Sequence, residues 1–103
     1  MIIKVHMLAF MDKGTVRNVE VPDNEIEGLY GEDGLGKVFY YGQNIHAIYK
    51  ETKNSELPSV SVKDVIEYSP GEYWNVDPIG FHKITTEEFE KMEGGRTKTE
   101  GIF

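Results

Sequence analysis

The fold of this chain is decided by residues 57–81, which read Leu57-Pro-Ser-Val-Ser-Val-Lys-Asp-Val-Ile-Glu-Tyr-Ser-Pro-Gly-Glu-Tyr-Trp-Asn-Val-Asp-Pro-Ile-Gly-Phe81. Two runs rich in β-branched and aromatic residues flank Pro70-Gly71, a dipeptide that is typical of tight turns. The pattern predicts a β-hairpin with strands over 62–68 and 72–77. The stretch has no nucleophile beside a base, no metal-ligand cluster and no phosphate-binding loop, so it indicates an architecture without naming an activity.

A second hairpin is predicted at the start of the chain. The odd-numbered positions of 2–10 form one apolar face, and residues 15–21 alternate in the same way. Asp12-Lys13-Gly14 between them is typical of a turn, and Pro22 ends the second run because it cannot donate to a β-ladder. We expect residues 79–84 to extend this sheet or to return to it.

Helical signals lie between and after the hairpins. Asp23 or Asn24 is expected to cap a short helical turn, and Asp33 is expected to cap a longer helix. Two glycines inside that longer helix, Gly34 and Gly36, each weaken it by roughly 1 kcal/mol relative to alanine. We therefore expect this helix to be short and to depend on packing against the sheet.

The clearest helix signal covers residues 86–92. Thr85 and Glu88 match the capping-box pattern, in which each residue's side chain binds the other's backbone N–H. Ile84, just before the cap, is placed to pack on Phe89 as a hydrophobic staple.

These elements predict one small α+β domain over residues 1–93, followed by a flexible tail over 94–103. We expect a curved antiparallel sheet of two or more hairpins with one or two short helices packed on it. The predicted core consists of Val5, Val19, Val38, Phe39, Val65, Val76, Phe81 and Phe89.

Composition excludes several classes of protein. The 103 residues contain no cysteine, so disulfides, thiolate metal sites and cysteine catalysis are ruled out. The apolar run at 2–10 is interrupted by Lys4 and His6 and is far shorter than the ~20 residues of a membrane span. No small-residue cleavage site follows it. We expect a soluble, cytoplasmic protein that does not associate with membranes.

Negative charge is concentrated in one segment. The net charge is −7, and residues 18–36 carry six carboxylates with no lysine or arginine. Such a segment repels nucleic acid and favours a basic protein partner, although it also serves simply as a solvated face. The candidate partner-binding residues here are Glu20, Asp23, Glu25, Glu27, Glu32 and Asp33.

A catalytic or metal site is not predicted. The three histidines, His6, His46 and His82, are not spaced as metal ligands, and no Gly-x-Ser-x-Gly motif is present. The glycine-rich stretch at 31–36 lacks the Lys and Ser/Thr of a phosphate-binding loop. The sequence thus predicts a protein that is not an enzyme and uses no cofactor.

Tyr73 and Trp74 are the remaining candidate partner-binding residues, because tyrosine and tryptophan dominate binding energies at interfaces. The alternative is that Trp74, the single tryptophan, only anchors the core.

Three stretches resemble a group of small uncharacterised proteins of phages and integrated mobile elements: 38–44, 57–66 and 71–81. Those proteins carry a Ser-Val-Gly-Asp-Val-Ile core before a hairpin that ends in Gly-Phe. The likeness covers about the middle half of the chain. Lys63 stands in the glycine position, which leaves open whether the chain turns tightly there. A weaker resemblance is to PUA-like β-barrels, whose strands often open with Val-Gly-Asp and which bind RNA or modified bases.

Two functions remain open. The first is an accessory protein of a phage or mobile element in the host cytoplasm, which binds a basic surface of a host protein and inhibits a defence or nucleic-acid-handling factor. The second is a PUA-like nucleic-acid or nucleotide-binding module that stacks a base on Tyr73 and Trp74. The acidic charge balance favours the first and argues against direct DNA or RNA binding.

Overall fold

The structure is a computed structural model that describes residues 1–11, 14–44 and 58–93. These residues form five strands and three helices. In chain order they are β1 (Ile2–His6), β2 (Val16–Glu20), α1 (Asp23–Ile26), α2 (Glu32–Tyr41), β3 (Val65–Ser69), β4 (Glu72–Val76), β5 (Phe81–Ile84) and α3 (86–93).

The five strands form one antiparallel sheet in the order β2-β1-β3-β4-β5. Both predicted hairpins are present, as β1–β2 and β3–β4, and β5 adds a third through a turn at 77–80. The predicted α+β class with a curved sheet is therefore confirmed, with three short helices where one or two were expected. The predicted tail at 94–103 lies outside the described residues.

Helices cover both faces of the sheet. One face and the helices α1 and α2 enclose the main core, which consists of Ile3, Val5, Met7, Val19, Val21, Ile26, Leu35, Val38, Tyr41, Val60, Ile66 and Val76. The opposite face packs against α3 through a smaller cluster of Val65, Ile84 and Phe89. Strand residues alternate between the two faces because successive side chains on a strand point in opposite directions.

Six of the eight predicted core residues are buried, and Phe39 and Phe81 are not. These two rings pack against the edge of the main core while remaining partly exposed. They contact each other edge to face, with ring centroids 6.4 Å apart. The helical spacing of Phe39 correctly indicated contact with the core, but its ring is only partly buried there.

The capping box of α3 is confirmed. Thr85 Oγ1 accepts a hydrogen bond of 3.0 Å from the Glu88 N–H, and Glu88 Oε1 accepts one of 2.9 Å from the Thr85 N–H. Hydrogen bonding of the charged carboxylate by the backbone N–H of Thr85, and to a lesser degree by its side chain, lowers the pKa of Glu88. Ile84 and Phe89 lie in the same buried cluster, as the staple predicted.

The start of α2 differs from the prediction. The N-cap is Gly31, with φ of 58° and ψ of −139°, and Asp33 lies inside the first turn beside Glu32. Asp33 is therefore not the cap, because glycine reaches a backbone conformation here that aspartate rarely adopts. Its carboxylate instead lies at the positive end of the helix dipole.

Lys63 forms a tight turn in spite of its side chain. Its φ is 81°, the left-handed region that favours glycine, and it is the one non-glycine residue with positive φ among those that the structure describes. The Lys63 N–H donates to the Val76 carbonyl at 2.8 Å, and the Asp64 N–H donates to the Ser61 carbonyl at 3.0 Å. The tight turn that the sequence left open is therefore present at the entry to β3.

Asp64 holds this turn against the loop after β1. Its side chain is only 1% exposed, and its carboxylate accepts backbone N–H groups of Ser61 at 2.8 Å and Ala9 at 2.9 Å. Burial raises the pKa of Asp64, and the backbone donors partly offset that rise.

Candidate functional site

The six candidate carboxylates follow one another from the end of β2 through α1 to the first turn of α2. Glu20 ends β2, Asp23 and Glu25 lie in α1, Glu27 follows α1, and Glu32 and Asp33 open α2. We call their side chains together the acidic surface. All are exposed except Glu25, which is partly buried.

Two glycines let the chain reverse between the helices that carry the acidic surface. Gly28 has φ of 79° and Gly31 has φ of 58°, conformations that cost glycine little. The reversal lets α2 contact α1. One carboxylate from each helix, Glu25 of α1 and Asp33 of α2, lines a common cleft as a result.

Two cations of the described residues lie against this charge. The Met1 α-amino group lies 2.5 Å from Asp23 Oδ1, and Lys37 Nζ lies 3.4 Å from Glu25 Oε1. Within the part of the chain that the structure describes, the other four carboxylates form no ion pair; they are Glu20, Glu27, Glu32 and Asp33. The surface therefore presents a net negative field to solvent.

An open cleft of about 430 Å³ lies beside α1 and α2, within this surface. It is lined by Glu25, Asp33, Gly36, Lys37, Tyr40 and Tyr41. The Tyr41 hydroxyl donates a hydrogen bond to Glu25 Oε2. That bond, together with burial and the nearby carboxylate charge, raises the pKa of Tyr41 to about 12. Tyr41 is thus a stable hydrogen-bond donor at neutral pH, and it orients the carboxylate of Glu25.

Tyr73 and Trp74 do not share a surface. Tyr73 stacks on Phe89 under α3, with ring centroids 4.1 Å apart and planes 8° from parallel. Trp74 packs against the main core on the opposite face, and its Nε1 donates to Glu72 Oε2 at 2.8 Å. Because they are neighbours on one strand, they cannot stack a base together.

Two histidine–carboxylate pairs were not predicted from the sequence. His6 Nε2 lies 2.8 Å from Glu67 Oε1 across the sheet, in a partly buried position beside Phe89. His82 Nδ1 lies 2.8 Å from the Asp77 carboxylate in the β4–β5 turn. Hydrogen bonds from His82 and Asn75 lower the pKa of Asp77. The third histidine, His46, lies outside the described residues.

Arg17 is a further residue that sequence reasoning missed. It lies on β2, yet it is fully buried, and its Nη1 donates to Asn44 Oδ1 at 3.0 Å and to the Pro58 carbonyl at 2.9 Å. Alternation along β2 places position 17 on the inward face with Val19, but only the folded chain shows which acceptors meet it.

Other kinds of site are not seen in the residues described here. No three side chains of His, Asp or Glu are grouped so that they could hold a metal ion. None of the helices in these residues is long and apolar enough to cross a bilayer. Comparison with protein-family models, with curated proteins and with solved structures finds no match to this chain.

Proposed function

We propose that this protein acts without catalysis, by binding a basic surface of another protein through the acidic surface. The observation that carries the proposal is that four exposed carboxylates from adjacent elements lack ion-pair partners among the described residues. Charge complementarity of this kind speeds association and selects partners more than it adds affinity.

The resemblance to small phage and mobile-element proteins suggests the kind of partner. In that setting the protein is an accessory factor that inhibits a host defence or nucleic-acid-handling protein. Proteins that handle nucleic acid carry lysine- and arginine-rich surfaces, which an acidic surface fits. The proposed site of action is the host cytoplasm.

The nucleic-acid alternative has less support. It requires Tyr73 and Trp74 to stack bases, and the two rings lie on opposite faces of the sheet. The negative surface would also repel phosphate.

A pair of double variants tests the proposal. Glu32→Lys with Asp33→Lys reverses two carboxylates of the acidic surface, at the start of α2. Glu87→Lys with Glu90→Lys reverses two exposed carboxylates at the start of α3, so the net charge changes equally. The probe is a fluorescent lysine- and arginine-rich peptide, titrated at low and at physiological salt.

We expect the α2 pair to weaken peptide binding by about tenfold or more and the α3 pair to change it little. Equal losses from both pairs would show that only net charge matters and would contradict the proposal. Tight binding of the wild-type protein to a random oligonucleotide at physiological salt would overturn it in favour of the nucleic-acid alternative.

A further inference from the structure

The cleft beside α1 and α2 has the size of a binding site for one side chain and its flanking backbone. Its volume of about 430 Å³ falls within the range of about 300–1,000 Å³ that is usual for ligand pockets. It is open to solvent and lies within the acidic surface, so a protruding group of a bound protein can reach it.

An aromatic wall and a glycine shape the cleft. Tyr40 is 56% exposed, and its ring meets that of Tyr41 edge to face, with centroids 5.0 Å apart and planes at 86°. Gly36 lies between the charged residues, and a Cβ atom added there would have no neighbour within 4 Å. The missing side chain of Gly36 therefore leaves space at the point where α2 faces the cleft.

Among the residues that the structure describes, two carboxylates and one ammonium line the cleft. Glu25 is oriented by the Tyr41 hydroxyl, and Asp33 lies at the exposed first turn of α2. The Lys37–Glu25 contact of 3.4 Å is long for a charged hydrogen bond, and both side chains are more than a third exposed. A pair of this kind contributes little stability, so the Lys37–Glu25 contact does not by itself keep an incoming cation out of the cleft.

We infer that this cleft binds the side chain of an arginine from the protein partner. The inference rests on the proposed function and names the group that is recognised. A guanidinium is planar, so it stacks on the exposed ring of Tyr40 while its N–H groups reach the carboxylates of Glu25 and Asp33. A lysine ammonium lacks the flat face and the forked donors, and it offers nothing that Lys37 does not already supply. The chemistry of the cleft is therefore specific for arginine over lysine.

A single-arginine probe tests this inference. The probe is a short Gly/Ser peptide with one arginine, compared by NMR titration with the same peptide carrying lysine or neutral citrulline. We expect the arginine peptide to shift the amide signals of residues 33–41, with weaker shifts from lysine and none from citrulline. Equal shifts from arginine and lysine would overturn the specificity, and no shifts at 33–41 would overturn the site.

Gly36→Leu fills the cleft without changing any charge, and leucine favours the helix more than glycine does. We expect it to weaken binding of the arginine peptide by about tenfold or more, and Gly36→Ala, which adds only a methyl group at the same position, to weaken it by a smaller factor. Unchanged binding in Gly36→Leu would contradict the inference. If Gly36→Leu leaves binding of the polybasic peptide intact while Glu32→Lys with Asp33→Lys abolishes it, the proposed function stands and the arginine site alone is refuted.

Discussion

Replacing Gly34 with alanine should destabilise the protein, whereas the same replacement at Gly36, two residues further along α2, should stabilise it. Both positions lie inside the helix, where glycine costs about 1 kcal/mol relative to alanine. Their surroundings differ. A methyl group at Gly36 meets nothing within 4 Å, but at Gly34 it would overlap the hydroxyl and ring of Tyr68.

The expected magnitudes follow from these contacts. Gly36→Ala should raise the free energy of unfolding by about 1 kcal/mol. Gly34→Ala gains the same helix propensity, but the added methyl group must displace the Tyr68 ring. Overpacking of this kind lowers the free energy of unfolding by about 1–3 kcal/mol. It also strains the 3.0 Å hydrogen bond from the Tyr68 hydroxyl to the Leu29 carbonyl, worth about 0.5–1.5 kcal/mol. The net result is a loss of about 0.5–3.5 kcal/mol.

Urea unfolding followed by the fluorescence of Trp74, the one tryptophan, measures both variants. Tyr68→Phe removes the hydroxyl that lies nearest to the added methyl group, so the cost of Gly34→Ala should fall in that background. Equal stabilisation by Gly34→Ala and Gly36→Ala would refute the close packing of Tyr68 against α2.

Three further changes test the turn before β3 and the core. Lys63→Gly should stabilise the protein by about 1 kcal/mol in thermal unfolding, because φ of 81° strains a side chain but not glycine; Lys63→Ala should bring no gain. Asp64 has a raised pKa, so the folded state binds its proton more tightly than the unfolded state does. The stability that Asp64 contributes should therefore fall as the pH rises from 3.8, the ordinary pKa of aspartate, through the raised pKa. The free energy of unfolding of the wild type should exceed that of Asp64→Asn by less and less across this pH range. A difference that grows with pH would contradict this. Phe39→Ala should cost less than Phe89→Ala, for which about 3–5 kcal/mol is usual at a buried site, because only Phe89 is buried. Equal losses of unfolding free energy in urea would show that the Phe39 ring is packed as fully as that of Phe89.

Local patterns in the sequence predict much of this fold. The alternation of β1 and β2, the Pro70-Gly71 turn and the capping box of α3 each depend on residues close together in the chain. The predicted strand over 2–10 is too long, since β1 ends at His6. The next residue, Met7, donates its N–H to the Thr15 carbonyl, and the loop between β1 and β2 lies beyond this hydrogen bond. β3 begins at Val65, later than the predicted start at 62, because the turn at Lys63 precedes it.

Buried polar residues are the part that the sequence does not predict. Asp64 reaches the N–H of Ala9, which is 55 positions earlier in the chain, and Arg17 reaches Asn44 and Pro58. Alternation along β2 places Arg17 on the inward face, but no local pattern identifies the groups that Arg17 or Asp64 meets. Their partners depend on the order of the strands and on how the loops close, which periodicity does not determine.

The candidate site is partly predictable. The density of carboxylates predicts an acidic surface, but the hydrogen bond between Glu25 and Tyr41 depends on the packing of α1 against α2. The opposite placement of Tyr73 and Trp74 follows from strand alternation alone, and the prediction of strand 72–77 already contained it.

An NMR footprint shows where on the protein a basic partner binds. Amide signals of the isotope-labelled protein are followed while the lysine- and arginine-rich peptide is added at physiological salt. We expect the perturbed amides to cluster at residues 20–41, in α1, α2 and the end of β2, and the perturbations to weaken as ionic strength rises. A cluster on α3 and the face of the sheet that carries Tyr73, or perturbations spread evenly over the described residues, would contradict it.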